Sequence, residues 1–212
     1  QTGKEKWESR LCWFDRAGKR LERVGDSESY FPGFLNISPN GSRVAVGLLD
    51  PSGLSDVWLI DLKTSVRSKL TAEPRDDSDA IWSPDGSQLI YSVRAAGGET
   101  AVLYRKPTLT TGVKESLVSQ PGVDLIPPSW SPDGKFVLYS MQSFGGRSDV
   151  FLLPLEGDRA PRPFVQTETD ESQGYFSPDV RWVAYISDAT GRYEVYVAPF
   201  PGPGGTVQVS QE

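Results

Sequence analysis

Histidine is missing from this 212-residue chain, and cysteine and methionine occur once each. Without histidine there is no Ser-His-Asp triad, no imidazole general base and no histidine metal ligand. The lone Cys12 cannot close an internal disulfide or build a Cys-rich zinc site, and it says little about redox compartment. Its flanks, Leu11 and Trp13, mark it as a small apolar packing residue rather than a nucleophile. No apolar run approaches the roughly 18 residues that cross a bilayer as a helix. Positive charge is outnumbered: 22 Lys and Arg against 28 Asp and Glu leave a net charge of −6, which disfavours nucleic acid or an anionic membrane as the main partner. What is abundant is punctuation. With 21 Gly and 17 Pro but still 37% hydrophobic residues, the chain reads as a globular, all-β protein whose short strands are separated by turns. It opens on Gln1 and a polar stretch, Thr2 to Glu8, which reads as the product of processing or as a piece of a longer polypeptide.

An internal repeat organises everything that follows. Ser38-Pro39-Asn40-Gly41, Ser83-Pro84-Asp85-Gly86, Ser131-Pro132-Asp133-Gly134 and a degenerate Ser177-Pro178-Asp179-Val180 recur 45, 48 and 46 residues apart. That period is the length of a four-stranded propeller blade. Before each serine stands Ile37, Trp82, Trp130 or Phe176, and after each turn comes a strand-like run: Arg43 to Val46, Gln88 to Ser92, Phe136 to Ser140, Trp182 to Ile186. Consecutive apolar residues such as Val137-Leu138-Tyr139 need cover on both faces, as a sheet sandwiched between two others provides. A further strand is expected at Val57 to Ile60, Leu103 to Lys106, Val150 to Leu153 and Val195 to Ala198. A more polar outer strand is expected at Arg67 to Thr71, Glu115 to Ser119, Arg162 to Gln166 and Val207 to Ser210. The blades so defined span 32–71, 76–119, 124–167 and 170–212 of one propeller domain, 1–212. Trp82, Trp130, Phe176, Tyr91, Tyr139, Tyr185, Val137 and Val183 are its expected core.

The turn has a mechanism. Proline presets the backbone at the first central position, Asp or Asn suits the second, and glycine accepts the left-handed conformation that follows. A turn aspartate repeated in every blade has no unique pocket, so Asp85 and Asp133 read as structural. At Val180 a β-branched residue resists positive φ, and a distorted or different fourth turn is expected.

The words Trp-Ser-Pro-Asp-Gly-x-x-Leu/Val-x-Tyr-Ser, at Trp82 to Ser92 and Trp130 to Ser140, resemble the WD40-like repeats of TolB-type β-propellers. Leu11 to Lys19, Asp56 to Leu62, Gln173 to Asp179 and Glu194 to Gly205 look like the propeller that follows the kinase domain in bacterial eukaryote-like serine/threonine kinases. The resemblance covers about Leu11 to Ser210. It implies a six-bladed ring, a sensory or protein-binding role without catalysis, and a periplasmic or extracellular location beside a membrane-anchored kinase. The kinase signatures themselves are absent from the chain. The alternative is the accessory propeller of a peptidase or other hydrolase, whose Gly-x-Ser-x-Gly elbow would have to lie on another domain.

One set of residues goes beyond the repeat's own needs. Asp76, Asp124 and Asp170 each stand six positions before the aromatic of their unit, with Phe31 at that place in the first. Lying where one blade passes to the innermost strand of the next, they are expected around one mouth of the channel. There they could bind a cation such as calcium or a basic protein segment, or simply cap loops. No other cofactor is indicated. Asp76-Asp77-Ser78-Asp79 has a superficial likeness to a calcium loop but lacks the glycine and the terminal glutamate of an EF-hand. Asp56, Asp149 and Glu194 recur at the start of the third strand and read as hydrogen-bond anchors, with Val102 breaking the series.

The N-terminal stretch 11–25 reads as a hairpin around Asp15-Arg16-Ala17-Gly18, and Trp13-Phe14-Asp15 aligns with Leu59-Ile60-Asp61 of a blade's third strand. Four full blades plus an outer half-blade leave a six-bladed ring short by roughly 70 residues. The expectation is either a fragment of a longer polypeptide or self-association through open propeller edges.

Overall fold

The computed structural model describes residues 9–28, 30, 35–94, 100–109, 112–202 and 204–211. Phe31, the start of the first expected blade at 32 and the terminal residue 212 lie outside the described residues. The chain begins with a hairpin of β1 (Ser9–Phe14) and β2 (Arg20–Glu28). Four antiparallel meanders of four strands follow in strict chain order. Blade 1 comprises β3 (Asn36–Ile37), β4 (Arg43–Leu49), β5 (Ser55–Asp61) and β6 (Arg67–Lys69). Blade 2 comprises β7 (Asp76–Trp82), β8 (Gln88–Arg94), β9 (Thr100–Pro107) and β10 (Glu115–Pro121). Blade 3 comprises β11 (Val123–Trp130), β12 (Phe136–Ser143), β13 (Ser148–Pro154) and β14 (Arg162–Val165). Blade 4 comprises β15 (Glu171–Phe176), β16 (Trp182–Ser187), β17 (Glu194–Pro199) and β18 (Val207–Gln208). No helix occurs among the described residues.

The Ser-Pro-Asp-Gly turn is a small hydrogen-bonded machine that joins the first two strands of each blade. In blade 2 the Ser83 hydroxyl donates to Asp85 Oδ1 (2.6 Å) and accepts the Gln88 N–H (2.9 Å), while the Gly86 N–H closes the turn on the Ser83 carbonyl. The same set recurs around Ser38, Ser131 and Ser177. The hydroxyls of Ser83 and Ser87 hold the Asp85 carboxyl below the usual carboxylate range. The fourth turn corrects the sequence expectation. Val180 takes up φ +57°, as Gly41, Gly86 and Gly134 do in theirs (+69°, +71° and +78°), and its N–H still reaches the Ser177 carbonyl. The serine, the aspartate and Arg181 over-determine the turn, pushing Asp179 down to about 2, so the valine yields.

Each seam between blades is an apolar cluster. Ala45, Val57 and Leu59 of blade 1 meet Trp82, Leu89 and Tyr91 of blade 2. Ile90 and Leu103 of blade 2 meet Leu125, Val137 and Tyr139 of blade 3, and Leu138, Val150 and Leu152 of blade 3 meet Val183, Tyr185 and Tyr196 of blade 4. The hairpin packs Val24, with Leu11 and Trp13, on Val44, Val46 and Ile60 of blade 1. Of the expected core, Trp130 and Phe176 are half-buried and the other six are buried. Trp82 reaches across its seam to donate its indole N–H to the Asn36 carbonyl (2.9 Å), whereas Trp130 turns back onto its own turn at Gly134 (3.1 Å). Gly174 lets β15 lie close on blade 3: a Cβ there would stand 2.9 Å from Val150 Cγ1.

The turn of the hairpin and the turn between the third and fourth strands of blade 1 each begin with an aspartate. Asp15 Oδ1 accepts the N–H groups of Ala17 and Lys19 (both 2.9 Å), and Asp61 Oδ1 accepts those of Lys63 and Thr64 (3.0 and 2.7 Å), so each aspartate holds its turn, the second over a longer loop.

Candidate functional site

Asp76, Asp124 and Asp170 stand at the same end of three successive innermost strands: Asp76 opens β7, Asp124 is the second residue of β11, and Asp170 immediately precedes β15. All three are half-buried. Two of them share one job that sequence reasoning did not anticipate. Asp76 Oδ1 accepts the N–H of Ser55 (2.9 Å) and Asp170 Oδ1 that of Ser148 (2.7 Å), in each case the first residue of the preceding blade's third strand. They clamp a neighbouring blade rather than their own loop. Asp170 is further fixed by the Tyr193 hydroxyl on Oδ2 (2.9 Å) and by its own N–H donating to Asp188 Oδ1 (2.8 Å).

Asp124 is engaged differently. Its Oδ1 lies 3.5 Å from Nε of Arg94, whose Nη2 lies 3.5 Å from Asp79 Oδ2, so one guanidinium joins carboxylates of blades 2 and 3. Asp79 occupies a bulge in β7, at φ +53°, and Gln173 occupies the equivalent bulge in β15 at +54°. Asp79 is buried, and the Ser78 hydroxyl also donates to it (2.7 Å).

Position matters as much as identity at the bulge. In blade 4 the Gln173 N–H donates to the Ser140 hydroxyl of the blade before it (3.1 Å). The equivalent serine of blade 2 is Ser92, and the residue that would donate to it is Pro127, which has no N–H. Ser92 Oγ is accordingly buried without a partner. The sequence contains this signal, in the Pro127-Pro128 pair, but it becomes readable only once the seam is known.

The recurrent acidic position at the third strand anchors the fourth. Asp56 pairs with Lys69 (2.6 Å), Asp149 accepts from Gln166 Nε2 (3.1 Å), and Glu194 accepts from the Ser210 hydroxyl and pairs with Arg192 (2.8 Å). Just after the rim aspartates, Asp77, which the sequence showed only as part of Asp76-Asp77-Ser78-Asp79, and Glu171, which it did not single out, are buried carboxyls. Among the described residues, no three His, Cys, Asp or Glu side chains come together closely enough to hold a metal ion. The three aspartates are thus spaced, half-buried carboxylates, each engaged by a group of a neighbouring blade: Asp76 and Asp170 by a backbone N–H and Asp124 by a guanidinium.

No known family profile matches the sequence. By structure the chain is similar to TolB of Acinetobacter baumannii, with a TM-score of 0.78 and 18% identity over 95% of this chain and 48% of that one. It is similar to prolyl oligopeptidase B of Galerina marginata, with a TM-score of 0.70 and 12% identity over 94% and 34% of the two chains. It is also similar to oligogalacturonate lyase of Vibrio parahaemolyticus, with a TM-score of 0.65 and 19% identity over 91% and 55%. The chain therefore spans about half the length of the TolB it matches, and at these identities the likeness is one of fold. With four successive four-stranded blades in chain order, that fold is the TolB-like β-propeller.

Proposed function

We propose that this chain is a non-enzymatic propeller module that binds a protein or peptide through basic side chains at the rim marked by Asp76, Asp124 and Asp170. The observation that carries this reading is Arg94, a guanidinium already seated between Asp79 and Asp124 at that rim. Asp76 and Asp170, fixed by their clamps on a rigid scaffold, keep their geometry when a partner approaches, which lowers the ordering cost of binding. The sequence resemblance extends the proposal to the C-terminal sensory propeller of a bacterial membrane serine/threonine kinase, exposed in the periplasm or outside the cell. Calorimetry with an arginine-rich decapeptide at low and moderate salt tests the rim. Micromolar to millimolar binding, weakened by salt and by Asp124→Asn, supports it, and no heat at millimolar peptide removes it.

The likeness to prolyl oligopeptidase B favours a second reading, the accessory propeller of a hydrolase. Peptide hydrolysis by the natural gene product would decide for that reading.

A further inference from the structure

Immediately after each rim aspartate, the innermost strand sends one side chain into the seam with the preceding blade, and the three seams fill that position differently. It is Asp77 in blade 2, Leu125 in blade 3 and Glu171 in blade 4, with exposures of 2%, 0% and 1%. Leu125 joins the apolar cluster of its seam. Glu171 is well supplied with donors: the hydroxyls of Thr167 and Thr169 (the latter at 2.6 Å) and the Thr167 N–H (3.3 Å). Asp77 lacks such a set. The Thr71 hydroxyl hydrogen-bonds to it, yet Oδ1 is buried without a partner. Thr71 is itself shared, since its Oγ1 accepts the Val57 N–H (2.9 Å) and lies 3.4 Å from Asp56 Oδ1.

The charges facing Asp77 do not compensate. From blade 1 come Asp56, paired with Lys69, and from the connection Glu73, paired with Lys114. From blade 2 come Lys114 itself, whose ammonium also lies 4.1 Å from the centre of the Tyr104 ring, and the phenol of Tyr91, itself pushed up by burial and by Asp77. On its own strand stand Asp76, engaged with Ser55, and Asp79, engaged with Arg94. Burial, with Asp56 and Glu73 nearby, pushes the Asp77 carboxyl up to about 7. The same residue belongs to a latch. Ser55 donates its N–H to Asp76 Oδ1 and its hydroxyl to the Asp77 carbonyl (3.0 Å), so both carboxyl-bearing residues hold one point of blade 1.

We propose that Asp76 and Asp77 form a pH-responsive latch between blades 1 and 2: the neutral Asp77 carboxyl closes the seam on Ser55, and the ionised one opens that end and frees the Asp76 carboxylate. The latch stands on its own geometry, and its use in ligand capture rests on the rim reading above. Asp77 keeps its proton in the closed seam up to about pH 7, whereas a solvated aspartate loses it near pH ~4, so closing takes up a proton between these limits. Closure is tightest below this window, weakens as pH rises through it and levels off above pH 7.

Native-state hydrogen exchange compares the Ser55 amide with that of Ser148, which is clamped in the same way by Asp170 but beside the satisfied Glu171. The expected result is a Ser55-to-Ser148 protection ratio that falls about tenfold per pH unit from pH ~5 to ~7 and then flattens. A carboxyl-carbon titration of Asp77 should have its midpoint near 7. Asp77→Asn, and Asp77→Leu, which copies blade 3, should both flatten the ratio. A ratio independent of pH in the unaltered protein, a slope that survives in the variants or a titration midpoint below ~5 would overturn the latch. Should neither variant fold, the exchange ratio and the titration of the unaltered protein decide. A pH-dependent ratio without peptide binding would sink the rim reading while leaving the latch.

Discussion

Two serines at the same place in successive blades carry opposite expectations. Ser140 Oγ accepts the Gln173 N–H across a seam, while Ser92 Oγ faces Pro127 and has no partner. Ser140→Ala should cost about 1 kcal/mol, because the part-buried Gln173 N–H loses its acceptor, and Ser92→Ala should be neutral or slightly stabilising. Urea denaturation of the two variants checks the contrast, and equal losses would show that the proline account is wrong. Val180 makes a second expectation at this scale. Its φ of +57° is strained for a β-branched side chain, and the turn's hydrogen bonds do not involve that side chain. Val180→Gly should therefore raise stability by roughly 1 kcal/mol, the strain relieved exceeding the added freedom of the unfolded chain. A loss in thermal midpoint would contradict this.

At the scale of elements, the second and third strands of each blade are joined by a cross-strand pair: Tyr91 with Tyr104, Tyr139 with Phe151 and Tyr185 with Tyr196. Ring centres lie 5.6–6.0 Å apart in these three. In blade 1 the pair is Val46 with Trp58, and Arg67 and Lys69 of β6 lie over the indole instead. Neighbouring blades are held by fewer, more specific features. Trp82 is buried and hydrogen-bonds across its seam to Asn36, so Trp82→Ala should cost roughly 3–5 kcal/mol. Trp130 is half-buried and bonds within its own turn, so Trp130→Ala should cost clearly less, despite the identical sequence word around it. Thermal midpoints of the two variants measured side by side provide the check.

For the whole molecule, the ends of the arc differ from its middle. In blade 4 burial alternates strictly along β16 and β17, because only the face toward blade 3 is covered. Its other face carries Tyr175, Trp182 and Val195, 42%, 44% and 37% exposed, with Ala184, Ile186 and Val197 half-buried among them. At the opposite end, Leu11, Trp13, Phe14, Leu35 and Ile37 line an apolar cleft of about 210 Å³ beside the hairpin. Our proposal is that both ends are places for further blade-type sheet in a six-bladed ring, and that in the 212-residue chain they drive self-association. Light scattering should show concentration-dependent association that Trp182→Lys with Val195→Lys abolishes, while the thermal midpoint moves by no more than about 2 °C. Stability should also follow pH through Asp77. Its proton is bound in the folded state up to about pH 7 but lost near pH 4 on unfolding, so its contribution is lost as pH rises toward 7. Asp77→Asn should therefore raise the thermal midpoint more at pH 8 than at pH 5, and the opposite order would refute the assignment.

The period of the Ser-Pro-Asp-Gly word, the strands on either side and the N-terminal hairpin were legible in the residues, because turn chemistry and apolar patterning act over a few positions of local chain. Asp76, Asp124 and Asp170 were visible as a periodic set for the same reason. Their partners were not. Ser55, Ser148 and Arg94 each reach them from another blade, and no spacing within a unit encodes that meeting. The difference between Asp77 and Glu171 was equally hidden, since it depends on whether two threonines or one stand beside a buried carboxyl. Local backbone preference specified the blade, and the packing of blade on blade decided which of its repeated residues are satisfied, strained or poised to titrate.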